Sequence, residues 1–254
     1  MKSIIYILIF LIGCMGFGQN GLLFEQANDL YNKGDFEDAI TKYEAIIGSG
    51  EHSAALYFNL ANAHYKLNHI APSIYYYEKA LQLDPNDKEI NNNIAFARNM
   101  TIDAIDKIPD VGFSKFSKTI TNWLTFDNWA KLSVLLMVLF VIFYLVYYFN
   151  YGTTQKRLSF IMAMTFLIAS GCAIALAYNN YALVKNDQPA IVFAKESLVK
   201  SEPNLRSSES FKLHEGTKVQ ILDTVDNWKK IKLADGKTGW IPKADIKALN
   251  SIDL

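Results

Sequence analysis

Apolar and polar positions change their period three times along this chain. From Gly21 to about Ala104 the apolar residues recur at helical spacing, and the pattern repeats: Ala27 to Ile47 overlays Ala61 to Leu81 at an offset of 34 residues. Ala27 then meets Ala61, Asn28 meets Asn62, Tyr31 meets Tyr65, Gly34 meets Asn68, Ala39 meets Ser73 and Tyr43 meets Tyr77. Two nearly unbroken apolar runs follow, Trp129 to Phe149 and Leu158 to Tyr178. Past Pro189 the period falls to two: Val219 and Ile221, Ile231 and Leu233, then Trp240 and Ile241. That texture predicts strands, and Asp235-Gly236 between two runs predicts a tight hairpin.

Local signals refine the helical part. Gly34 and Asn68 suit the positive φ of a tight turn between helices, and Asp35 and Asn68 stand where helix N-caps are expected. Pro72 falls in a first turn, where a missing N–H costs least, and Pro85 stops a helix. The first unit ends Gly48-Ser49-Gly50 without a proline and carries Ile46 where the second has Ala80, which predicts a looser closing turn. Ile90, Ile94, Ala95 and Ile102 then predict a helix that caps the stack, because each repeat leaves one apolar face uncovered.

This period and the small-residue and aromatic spacing resemble the tetratricopeptide repeat (TPR). The resemblance implies a groove lined by the first helix of each pair. Phe24, Asn28, Tyr31, Phe58, Asn62 and Tyr65 are then expected to face a ligand, with Asn28 and Asn62 pairing a peptide backbone and Lys66 meeting a carboxylate. Packing of Tyr31 and Tyr65 between units is the competing expectation.

The apolar runs are each about 20 residues, enough to cross a bilayer. Lys156 and Arg157 lie between them with no acid, so the positive-inside rule puts that loop in the cytoplasm and both flanks outside. Ala169, Ala173 and Ala177, with Gly171 and Ala175 beside them, suit close helix packing, either on the chain's own first span or on a partner helix. Before the spans, Phe113, Phe116, Ile120, Trp123 and Leu124 oppose Lys115 and Lys118. That pattern predicts either a headgroup-layer helix anchored by Trp123 and Trp129 or a helix packed on the repeats. The N-terminus has a Lys, an apolar core and small residues, the parts of a signal peptide cleaved after Gly18 to leave Gln19. Leu11 to Cys14 also resembles a lipobox, with Cys14 acylated, and an uncleaved anchor is the third reading.

Composition narrows the chemistry. Of 254 residues 51% are hydrophobic and 20% charged, and 25 Lys and Arg balance 25 Asp and Glu, so a nucleic-acid partner is set aside. Cys14 and Cys172 both sit in apolar runs, which argues against a disulfide framework or zinc site. His52, His64, His69 and His214 show no triad or ligand spacing, and the first three read as surface or groove residues. There is no nucleophile motif, phosphate loop or paired carboxylate, so neither enzyme activity nor a cofactor or metal is expected.

The C-terminal pieces "NLRSS", "LHEGTKVQIL", "WKKI" and "GKTGWI" resemble a bacterial SH3 domain, in which Trp228 and Trp240 would be core or groove residues. The expected fold class is a multi-domain membrane protein: an α-helical TPR solenoid, a two-helix transmembrane hairpin and a small all-β SH3-like barrel. Boundaries fall at 1–18 for the signal peptide, 19–105 for the repeats with their cap, and 106–128 for the linker and interfacial helix. The first span is 129–149, the loop 150–157, the second span 158–178, and the SH3-like domain 186–250. In that order the parts resemble the BatE family of Bacteroides aerotolerance (Bat) operons. The resemblance implies an inner-membrane assembly with von Willebrand A-domain membrane proteins and a MoxR-type ATPase. Two functions are expected: an adaptor that grips a partner through the TPR groove, or a cell-wall sensor that binds peptidoglycan through the SH3-like domain.

Overall fold

The computed structural model describes residues 20–105, 112, 119–121 and 123–249. The expected signal peptide, its Gly18–Gln19 cleavage site, Cys14, and Phe113, Lys115, Phe116 and Lys118 lie outside the described residues. The chain forms two compact units, one of residues 1–107 with 188–254 and one of residues 108–187.

The first unit begins with five helices: α1 (20–33), α2 (Phe36–Gly48), α3 (Ala54–Lys66), α4 (Ile70–Leu83) and α5 (Lys88–Arg98). Ala27, Ala39, Ala61, Ala63, Ala71 and Ala80 are wholly buried at the helix contacts, while Tyr43, Tyr57 and Tyr77 fill the space those small side chains leave. Gly34 (φ 91°) and Asn68 (φ 58°) make the equivalent turns of the two pairs. Asn68 is not an N-cap, because the residue that closes the turn at positive φ precedes the cap by one. His69 takes the cap position, and neither it nor Asp35 caps with its side chain. The side-chain caps are Ser53 and Asp87, which accept from Leu56 N–H and from Glu89 and Ile90 N–H. The first pair closes without a proline: Ser49 N–H reaches the Ala45 and Ile46 carbonyls, Gly50 adopts φ 89°, and Ile46 is buried. In α5 the inward residues are Ile90, Ile94 and Ala97. Ala95 faces solvent, and Ile102 lies beyond the helix end and is exposed.

The same unit contains a seven-stranded antiparallel sheet: β1 (Pro189–Val192), β2 (Glu196–Lys200), β3 (Glu209–His214), β4 (Lys218–Val225), β5 (Trp228–Lys232), β6 (Thr238–Pro242) and β7 (Ile246–Ala248). Their order is β3-β2-β6-β5-β4-β1-β7. Asp235-Gly236 makes the β5–β6 turn, with Gly236 at φ 87° and Leu233 N–H bonded to the Lys237 carbonyl. Val199, Leu213, Val219, Ile221, Ile231, Leu233 and Ile241 form the core with Ala190 and Val192. Trp228 and Trp240 are both half-buried and belong outside that core: Trp240 alternates with Gly239 and Ile241, which take the inner face of β6.

Strand β1 is buried on both faces. Ala190 and Val192 serve the barrel, while Ile191, with Leu249, joins the core built by Tyr57, Ala61, Ile74, Tyr75 and Ile94 of the helices. Polar contacts follow the apolar ones across this junction. Glu78 Oε1 and Oε2 meet Arg98 and Lys218, each at 2.7 Å. Lys247 of β7 places its Nζ 4.5 Å from the Tyr75 ring centroid and 5.6 Å from that of Phe193.

The second unit holds two long helices, α6 (Phe126–Phe149) and α7 (Thr153–Asn186). Their apolar stretches, Phe126–Phe149 and Thr153–Leu183, have mean hydropathies of 2.5 and 2.2, and 24 residues of helix reach about 36 Å. Both are long and apolar enough to cross a membrane. Helix α7 starts five residues before the expected span, so Lys156 and Arg157 stand in its first turns and not in a loop. Small side chains make the contact between α6 and α7: Ala163, Ser170 and Ala173 are buried, and Ser170 Oγ donates to the Ser133 carbonyl at 3.0 Å. Gly171 and Ala175 face outward. Trp123 is exposed, but Trp129 is buried and donates its Nε1–H to the Thr121 carbonyl, so only the first is free to anchor in an interface. Asn180 also donates to the Thr121 carbonyl, at 2.8 Å.

Candidate functional groove

Helices α1, α3 and α5 line an open groove of about 560 Å³ in the first unit. Asn28, Tyr31 and Asn32 come from α1, and Phe58, Asn59, Asn62, Tyr65 and Lys66 from α3. Glu89, Asn93 and Phe96 come from α5, and Tyr43 and Tyr77 reach in from α2 and α4. Of the residues singled out from the sequence, Asn28, Tyr31, Phe58, Asn62, Tyr65 and Lys66 are in this lining. Phe24 is not: one turn before Asn28, its ring packs 5.9 Å from that of Tyr43 in the core beneath α1. Tyr31 serves both expectations, lining the groove and also packing edge-on to Phe36 at 5.3 Å.

A polar unit occurs twice in the groove. Tyr43 donates its hydroxyl to Asn28 Oδ1 at 2.6 Å, and Asn59 donates Nδ2 to the same oxygen at 2.9 Å. One repeat later Tyr77 donates to Asn62 Oδ1, and Asn93 donates Nδ2 to it at 3.0 Å. Burial pushes the Tyr43 hydroxyl up to about 12 and raises that of Tyr77 as well, so both remain protonated donors across the physiological range. Each tyrosine therefore fixes an asparagine oxygen as the acceptor. Sequence reading found Asn28, Asn62 and the tyrosine pair but missed Asn59 and Asn93. Carrying the 34-residue overlay one helix further aligns those two, and that was the available signal.

Lys66 and Glu89 are the charged lining residues, both exposed. The groove is otherwise neutral, polar along its floor and aromatic at Tyr31, Phe58, Tyr65 and Phe96.

A second surface lies on the barrel. Trp240 is paired in register with Lys200 on one side and Lys230 on the other, and Lys230 Nζ lies 6.0 Å from the Trp240 ring centroid. Trp228 is on β5 two residues before Lys230, opposite Pro242. This places two half-buried indoles and two lysines on the outer face of the sheet.

The histidines have structural surroundings. His64 is buried, not at a surface or in the groove: its ring stacks on Tyr76 at 5.6 Å, and its Nδ1 is 3.2 Å from that of His69. His52 Nδ1 pairs with the Tyr57 hydroxyl at 2.7 Å. Among the described residues no three His, Cys, Asp or Glu side chains gather in a way that could hold a metal ion.

Comparison with known families agrees with this division. Residues 24–88 match the tetratricopeptide repeat family and residues 198–247 the bacterial SH3 domain. No curated protein matches the chain. Repeats and barrels of these two kinds point to protein–protein interaction or cell-wall binding.

Proposed function

We propose that this protein is a non-enzymatic, membrane-anchored adaptor whose TPR groove grips a segment of a protein partner. The observation that carries the reading is the twofold asparagine–tyrosine–asparagine unit, because it is made of ordered polar groups facing an open groove and not a packed core. By its resemblance to the BatE family the partners would be von Willebrand A-domain membrane proteins working with a MoxR-type ATPase.

In this reading residues 1–18 are a signal peptide, 129–149 and 158–178 cross the inner membrane, and 150–157 face the cytoplasm. The repeats (19–105), the linker and interfacial helix (106–128) and the SH3-like domain (186–250) then lie on the periplasmic side. Crosslinking in intact membranes followed by mass spectrometry tests the adaptor: a protein neighbour is expected, and it should vanish from the Asn28→Ala/Asn62→Ala double variant, whose melting temperature falls through loss of the Tyr43 and Tyr77 hydrogen bonds but whose helical circular dichroism at the assay temperature is unchanged. Unaltered crosslinking of that variant would remove the groove from the proposal. Protease added to spheroplasts should cut near Tyr65 and Trp240 and spare Lys156; the reverse pattern overturns the sidedness.

The peptidoglycan-sensor reading draws on the Trp228, Lys230, Trp240 and Lys200 surface, where indole faces suit sugar rings and lysines suit carboxylates. Because the barrel shares its core with the helices, the full chain in detergent is the right probe. Retention on purified sacculi that is lost in Trp240→Ala would favour the sensor, and no retention favours the adaptor.

A further inference from the structure

Lys79 is a buried cation without an anion. It lies on α4 at 6% exposure, yet its Nζ makes no hydrogen bond and no ion pair among the described residues. Ring faces surround it instead, with the nitrogen 5.5 Å from the centroids of both Tyr57 and Tyr75. Buried ammonium groups are rare unless paired. Ring faces offset only part of the hydration such a group loses, and they satisfy none of its three N–H donors as an oxygen would.

A second ammonium comes to the same ring. Lys247, exposed on β7, has its Nζ 4.5 Å from the Tyr75 centroid, 5.9 Å from that of Tyr76 and 5.6 Å from that of Phe193. It too has no acid partner among the described residues. The acids at hand are spent elsewhere. Glu78, next to Lys79 in sequence, holds Arg98 and Lys218 with its two oxygens, and Glu44 acts on the Tyr76 hydroxyl without pairing with either lysine. Burial first and Lys247 second lower the pKa of Lys79, and the charge of Lys247 also contributes to the lowering at His64. The Lys79 nitrogen is still reachable. The described polar atoms sealed from solvent without a partner are His64 Nε2 and Thr121 Oγ1, and Lys79 Nζ is not one of them.

We infer that Lys79 and Lys247 form an oxyanion site where α4 meets β7, and that its ligand is a dianionic phosphate group. The site is separate from the groove, whose lining includes neither lysine. Two fixed positive charges call for two negative ones, and two ammoniums bring more N–H donors than a carboxylate has oxygens. A phosphate monoester supplies close to two charges and three strong acceptors on one small group. The same chemistry arrives on a soluble phosphate or on a lipid headgroup.

The test uses the full chain in detergent and a chloride buffer free of oxyanions, with inorganic phosphate, glycerol 3-phosphate and dihexanoyl phosphatidic acid as probes. Titration calorimetry should show saturable binding. Binding of the two soluble probes marks a soluble phosphate as the source, and binding of the lipid alone marks a headgroup. In Lys79→Met and in Lys247→Met the affinity should fall about tenfold, the order expected for one lost hydrogen bond to a charged group. Without phosphate, Lys79→Met should melt no lower than the native chain, because an apolar side chain of similar length replaces an unpaired charge. Phosphate should then raise the melting temperature of the native chain more than that of the variant. A rise shared equally by both is the general effect of an excluded ion and overturns the site. Absence of binding by all three probes overturns it as well. So does a Lys79→Met chain that melts below the native one in chloride, since the ring faces would then be enough for the ammonium. Each of these failures leaves the groove as a partner site untouched.

Discussion

Asp103, past the end of the helical stack, accepts the backbone N–H of His214 at 2.7 Å, and its other oxygen lies 2.7 Å from the His214 ring Nδ1. Thr217 Oγ1 adds a third contact at 2.6 Å. One carboxylate thus holds the β3–β4 turn of the barrel against the repeats across more than a hundred residues of sequence. Burial works against its charge, but the hydrogen bonds from Thr217 and His214 outweigh that and keep Asp103 below the usual carboxylate range.

Asp103→Ala leaves the His214 N–H and Thr217 hydroxyl without their partner, so a loss of about 2 kcal/mol is expected. In calorimetry of the solubilised chain the helical and barrel parts should begin to melt apart. The acid dependence has a definite sign. A carboxylate whose pKa is depressed on folding stabilises above its unfolded value of about 3.9, and that stabilisation fades as pH falls through the folded value. The share of stability that Asp103 supplies should therefore be lost only near and below about pH 4, and chemical denaturation of Asp103→Ala should lack that part of the acid dependence.

Gly216 and Gly34 both adopt positive φ, 86° and 91°, yet they differ in surroundings. A Cβ on Gly216 would lie 2.8 Å from Thr101 Cγ2 and 2.9 Å from both Ile70 Cγ2 and Ile74 Cδ1, whereas nothing lies within 4 Å of one on Gly34. Gly34→Ala should cost only the backbone penalty of about 1 kcal/mol, and Gly216→Ala about 1 to 3 kcal/mol more. Chemical denaturation of the two variants side by side measures the difference.

His64 supplies a second acid window, above that of Asp103. Burial first, then the charges of His69 and Lys247, push its pKa down to about 4, and its Nε2 is buried without a hydrogen-bond partner among the described residues. The neutral ring is thus the folded form. Its stabilisation is complete above the unfolded value near 6.5 and is lost as pH falls from there through about 4, amounting to roughly 3 kcal/mol. His64→Phe, which can still stack on Tyr76, should flatten the stability profile between pH 6.5 and 4.5.

Within the hairpin, Ala173 is buried and Ala175 exposed. Ala173→Leu should overpack the contact between α6 and α7 by about 1 to 3 kcal/mol, while Ala175→Leu should leave it unchanged. Unfolding in increasing SDS compares them. A partner helix that used the outward face would instead make Ala175→Leu the variant that loses the complex.

What the sequence determined by itself was local and periodic. The 34-residue overlay marked both helix pairs, and Gly34 and Asn68 marked their turns, because small residues and positive φ are properties of single positions. Alternation at Val219, Ile221 and Ile231, with Asp235-Gly236, marked the sheet for the same reason. The groove was legible as far as Asn28 and Asn62. What it does with them was not, because the oxygen of Asn28 is fixed by Tyr43 and Asn59, which lie 15 and 31 residues away on other helices. Trp129 has the sequence position of an anchor, but the Thr121 carbonyl holds its indole N–H.

Only the tertiary structure decided that repeats and barrel are one body. Ile191 reads as an ordinary strand residue, and it becomes part of the helical core only because β1 is covered on both faces. Nothing local in the sequence marks Gly216 or Asp103 for the contacts they make. Each owes its role to a neighbour more than a hundred positions away or to a surface that exists only after packing. Periodicity records which face of an element is buried, and it carries no record of what the face is buried against.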